Sequence, residues 1–95
     1  MNLESFLKGY ELNLEYFDLD AFEEEIMDIP YQIETLEQNY DKLTNAQKKK
    51  FVELNKKLLY IVNNTKAKNS LQEKILEKLK ETLNKEQEKE HIAAA

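Results

Sequence analysis

The chain offers few side chains with the chemistry of a nucleophile, a general base or a metal ligand. It has no cysteine, and His91 is its only histidine. A Ser-His-Asp arrangement needs a histidine held between the nucleophile and an acid. His91 follows a wholly polar run, which gives it nothing to be held against. The serines are Ser5 and Ser70, and Ser70 is better placed to cap a helix than to attack a substrate. Glu88-Lys89-Glu90-His91 has the E-x-x-H spacing of half a di-iron carboxylate site. That site requires a second E-x-x-H and two more glutamates on facing helices, and the chain holds no second such motif. With Gly9 as the only glycine, no glycine-rich phosphate loop can be built. Nothing follows the D-x-[DN]-x-[DN]-G pattern of a calcium loop. The residues therefore predict no enzyme, no cofactor and no metal.

Binding chemistry is better represented, and it is carried by charge. The formal net charge is −5, but residues 1–41 hold twelve acids against Lys8 alone, a net of −11. Residues 42–69 hold eight lysines against Glu53, a net of +7, and residues 70–95 are close to balanced. Two neighbouring segments of opposite sign are expected to lie side by side, within one chain or between two. Exposed pairs of this kind contribute only about 0.2–1 kcal/mol each, so their effect is on orientation and pairing more than on stability. All fourteen basic residues are lysine. Arginine is the usual choice for bidentate contacts to phosphate and guanine, and its absence argues against a nucleic-acid reader. Glu11, Glu15, Asp18, Glu23, Glu24, Glu25 and Asp28, with seven aromatic residues in the same N-terminal segment, form a candidate acidic docking face for a basic partner.

Helices must position these groups. One glycine and one proline leave almost none of the turn chemistry that strands and hairpins require. From Asp20 onward Phe22, Ile26, Ile29, Ile33, Leu36, Tyr40 and Leu43 recur at spacings of 4, 3, 4, 3, 4 and 3, an apolar a/d heptad stripe. Asp20 is a candidate cap, with Glu23 three residues on. The register holds across Pro30, which predicts a kinked helix over 20–43. The alternative is a break, with Asp28 capping a new helix and Pro30 in its first turn.

Thr44-Asn45-Ala46-Gln47 reads as a capping box that opens a second long helix, 45–64. Its stripe is Phe51, Leu54, Leu58 and Ile61, widened by Val52, Leu59 and Val62. After a polar loop, Ser70-Leu71-Gln72-Glu73 reads as another capping box, opening a helix over 71–90 with Leu71, Ile75, Leu76, Leu79 and Leu83 inside. Residues 1–19 fit a shorter helix through Leu3, Leu7, Tyr10, Leu14 and Phe17. Leu12, Tyr16 and Leu19 fall off that stripe, so this segment is apolar on several sides and is either deeply packed or offered to a partner.

These readings predict an all-α protein: an antiparallel helical bundle of three long helices plus a short N-terminal helix, completed by dimerisation. Residues 1–92 read as one domain and Ala93–Ala95 as a cloning scar. The absence of cysteine favours the cytoplasm, and no apolar run approaches the roughly 20 residues that span a bilayer. The expected function is a non-enzymatic, self-associating interaction module, a homodimer open to a further protein partner. Its interface stripe would be Phe22, Ile26, Ile29, Ile33, Leu36, Tyr40 and Leu43 with Phe51, Leu54, Leu58 and Ile61. The alternative is an acidic inhibitor, antitoxin-like, that caps a basic nucleic-acid-binding partner.

Overall fold

The computed structural model describes residues 2–21 and 23–87, and every regular element among them is helical. The helices are α1 (Leu3–Glu15), α2 (Glu23–Met27), α3 (Ile29–Gln38), α4 (Asn45–Asn64) and α5 (Ser70–Gln87), with a 3₁₀ turn at Tyr40–Lys42. Asn2 caps α1, its side chain accepting the Ser5 N–H at 3.1 Å. Thr44 and Gln47 form the capping box their spacing predicts, at 2.9 and 3.1 Å. Without glycines at their ends, the helices close with amide and hydroxyl side chains. Asn39 Nδ2 donates to the Thr35 carbonyl at 2.8 Å, Asn64 Nδ2 to that of Tyr60 at 2.8 Å, and Thr65 Oγ1 to that of Ile61 at 2.7 Å. These bonds satisfy carbonyls that the helix geometry leaves without a partner.

The expected long helix over 20–43 is divided. Pro30 has no N–H to offer the carbonyl one turn back. The ladder lapses at Asp28, whose N–H reaches the Glu25 carbonyl at 3.1 Å in 3₁₀ fashion. Asp28 keeps right-handed helical torsions (φ −76°, ψ −18°) but makes no side-chain cap, and Pro30 falls in the first turn of α3. The backbone thus bends with little loss of register, and Ile26, Ile29, Ile33 and Leu36 still share one inward face.

Two further expectations are corrected at helix starts. Asp20 lies ahead of α2, which begins at Glu23, and its carboxylate accepts from Lys68 and Gln72. Helix α5 is capped by Asn69, whose Oδ1 accepts the Gln72 N–H at 2.9 Å, rather than by Ser70. Asparagine is at least as good a cap as serine, and the one-residue shift sets the face. Positions 71, 75, 79 and 83 drift by about 40° per step around a helix of 3.6 residues per turn. Leu71 is accordingly 52% exposed, while Gln72 is buried with Ile75, Leu76, Leu79 and Leu83. On α4 the same geometry buries Val62 and leaves Ile61 half-buried.

Helix α3 packs against α1 and α5, and α4 packs against the same two helices. Consecutive α3 and α4 are not one of the principal pairs, because the 3₁₀ turn and the extended Leu43 carry the chain across the bundle. One continuous core results, drawing on Leu7, Tyr10 and Leu14 of α1, Leu19 of the following link, the α2–α3 stripe, Phe51, Leu54, Leu58 and Val62 of α4, and the α5 leucines. At its centre the Tyr10 ring meets Phe51 edge-on, centroids 6.4 Å apart, and its hydroxyl donates to Asn55 Oδ1 at 2.8 Å.

Candidate docking surface

The heptad stripe is covered within one chain. Ile26, Ile29, Ile33, Leu36, Leu43, Phe51, Leu54 and Leu58 are buried, and Tyr40 and Ile61 are half-buried. Helices α1 and α5 pack against α3 and α4, which carry most of the stripe. Phe22, Glu88, His91 and Ala93–Ala95 lie outside the described residues.

The acidic and lysine-rich segments do meet, at two places. On the α1–α4 side Glu11 pairs with Lys50, and the carboxylate beside it holds the lysine above its ordinary pKa. At the far end Asp20 accepts from Lys68 Nζ at 2.6 Å and from Gln72 Nε2 at 2.9 Å. These two bonds, the lysine first, hold its carboxyl below the usual range, and Lys68 is raised in turn. Gln72 completes this clasp by accepting the Lys68 backbone N–H at 2.8 Å. The sequence reading did not single out Gln72 or Asn55; a polar residue inside an apolar period is visible only once the helix face is fixed.

Glu11 lies on the α4 side of α1, and Glu15 and Asp18 are exposed toward its end. Glu23, Glu24 and Glu25, with Asp20 and Ala21, surround an open acidic hollow of about 360 Å³. Asp28 is exposed at the α2–α3 junction. Among the described residues no three carboxylates converge as ligands for a metal ion, and no helix is long and apolar enough to cross a membrane.

The surface with binding geometry is the seam between α1 and the α2–α3 pair. Asn13 Nδ2 donates to Gln32 Oε1 at 3.0 Å, and the Phe6 and Tyr31 rings meet with centroids 6.1 Å apart. At the end formed by α2, the seam opens into a cleft of about 280 Å³ lined by Leu12, Asn13, Tyr16, Glu25 and Ile26. Leu12 and Tyr16, one helical turn apart, are 51% and 66% exposed, whereas Leu19 turns into the core. Met27 and Tyr31 are also exposed. Glu25 lines this cleft; Glu15, Glu24 and Asp28 are exposed and close in sequence to its lining residues, and none of the four makes an ion pair among the described residues.

A second surface lies on α4. Phe51, Asn55, Leu58 and Val62 face inward, so the helical period turns Lys49, Glu53, Lys56 and Tyr60 outward. Among the described residues Tyr60 is the most exposed large apolar side chain, at 71%. Tyr60 thus stands among the lysines, and Lys48 Nζ lies 5.2 Å from the Tyr40 ring centroid.

No known protein family, curated protein or solved structure matches this chain.

Proposed function

We propose that this protein is a non-catalytic interaction module that receives a protein partner in the seam between α1 and α2–α3. The exposure of Leu12 and Tyr16 beside the cleft carries the reading. Single exposed apolar residues are ordinary, but these two flank a formed concavity with Ile26 at its floor. Tyrosine combines a large apolar ring with a polar tip and is enriched where interfaces bind most tightly. The acidic surround selects a partner segment that is apolar in the middle and basic at its edges.

A residue-resolved NMR titration with a synthetic amphipathic helix of leucine and lysine tests the reading. The expected result is saturable binding, with shifts concentrated at Leu12, Asn13, Tyr16 and Glu25, weakened at least tenfold by Tyr16→Ser. Shifts spread evenly over all exposed carboxylates would overturn it.

The acidic hollow at Asp20, Glu23, Glu24 and Glu25 favours a second reading, an antitoxin-like cap for a basic nucleic-acid-binding protein. That reading makes the carboxylates the determinant. Binding would then be lost on changing the half-buried Glu23 and the exposed Glu24 and Glu25 to Gln and would be indifferent to Leu12 and Tyr16.

A further inference from the structure

The seam and the outer stripe of α4 are complementary and cannot reach each other in one chain. The seam is acidic and centred on Leu12 and Tyr16. The stripe is net basic, with Lys49, Lys56 and the neighbouring Lys57 against Glu53, and it ends on the exposed Tyr60. The core-facing residues of α4 lie on the opposite side of that helix from Tyr60, and α4 is not a principal neighbour of α2 or α3, whose outer edge borders the seam. Among the described residues Glu11–Lys50 and Asp20–Lys68 are ion pairs that join the acidic and lysine-rich segments. Lys49, Lys56 and Lys57 make no ion pair there, and neither do Glu24 and Glu25.

We infer that the occupant of the seam is a second copy of this chain, which presents its α4 stripe head-to-tail. Tyr60 of one copy packs against Leu12 and Tyr16 of the next, and Lys49 and Lys56 approach Glu24 and Glu25. This rests on the reading of the seam as a docking surface. The contact is heterologous, so each copy keeps one free acidic seam and one free lysine stripe until a ring closes; otherwise an open string grows. Because its charged groups are exposed, the association weakens as the Debye length shortens from about 30 Å at 0.01 M salt to about 8 Å at 0.15 M.

Two variants built at exposed positions test this. One blunts the seam (Tyr16→Ser, Glu24→Gln, Glu25→Gln), and the other blunts the stripe (Lys49→Gln, Lys56→Gln, Tyr60→Ser). Far-ultraviolet circular dichroism checks that both stay helical, and Tyr16→Ser and Tyr60→Ser alone serve if either triple variant does not. Solution mass is measured by light scattering across a wide concentration range at low and at physiological salt. Wild type is expected to associate, more strongly at low salt. Each variant alone should lose association at least tenfold. Their equimolar mixture should recover a one-to-one complex and nothing larger, because only one intact seam and one intact stripe remain between them.

A wild type that stays monomeric at every concentration in low salt overturns the inference, as does a variant that self-associates like wild type or a mixture that does not combine. If wild type is monomeric yet the leucine–lysine helix binds the seam, the second copy is excluded and the docking surface stands. If neither binds, both readings fail.

Discussion

Gln72 is a buried polar side chain that joins distant parts of the chain. It is 2% exposed, and its amide joins the Lys68 backbone to Asp20, forty-eight residues away in sequence from Lys68. Truncating it removes both bonds, whose partners can turn to water, and a loss of that kind costs about 0.5–1.5 kcal/mol. Gln72→Ala should lower stability by that amount in urea denaturation. The Asp20 carboxylate gives the clasp a pH dependence. Its folded pKa lies below the ordinary value, so its contribution is complete above about pH 3.9, the unfolded value, and is lost as pH falls through the lowered one. Lys68 is shifted the opposite way, so its contribution is complete below about pH 10.4 and fades as pH rises through the raised value. Stability measured between acid and neutral pH should fall less steeply on the acid limb for Asp20→Asn than for wild type. Identical slopes would mean that the ion pair adds nothing beyond its neutral hydrogen bonds.

At the scale of elements, the helix starts show what local spacing settles. Thr44 and Gln47 lie within one turn and satisfy each other, so their box is written in four residues. Around residue 70 two caps compete, Asn69 and Ser70, and the winner is decided by which neighbour must go inside. With Asn69 as cap, Gln72 reaches Lys68 and Asp20, and Leu71 is given up to solvent. No local count of S-x-x-E spacing registers that long-range bond. Asn69→Ala should therefore cost about 0.5–2 kcal/mol, whereas Ser70→Ala, at an exposed first-turn position, should stay within about 0.5 kcal/mol. Thermal melts of the two variants make the comparison, and the reverse order would restore Ser70 as the cap. Pro30 is a similar case. Its missing N–H dictates an interrupted ladder, but whether the chain bends or turns away depends on the packing of Ile29 and Ile33 into the core, which the proline itself does not encode.

The whole molecule decides what covers an apolar face, and sequence periodicity is silent on that point. The 4, 3, 4, 3 spacing of Ile26, Ile29, Ile33 and Leu36 correctly marks one face. The same pattern serves a dimer seam and an intramolecular core equally well. Here α1 and α5 close over it, while the residues left over from the α1 stripe, Leu12 and Tyr16, form the exposed surface. Exposure of an off-stripe residue is legible from the wheel of a single helix; the cleft beside it needs α2 in place. The two apolar sets should consequently respond to substitution in opposite ways. Ile33 is 0% exposed, and a lysine in its place must either give up its proton in an apolar core or drag its surroundings into water. Deleting such a side chain alone costs about 2–5 kcal/mol against a total stability of roughly 5–15 kcal/mol for a domain. Ile33→Lys should abolish the cooperative melt and most helical circular dichroism, at every protein concentration. Leu12→Ser with Tyr16→Ser should leave the melting curve within about 0.5 kcal/mol of wild type, because neither side chain is removed from a packed interior. If instead Ile33→Lys yields a folded monomer from an associated wild type, the heptad stripe is itself an interface, and the seam loses its claim to be the surface this bundle offers.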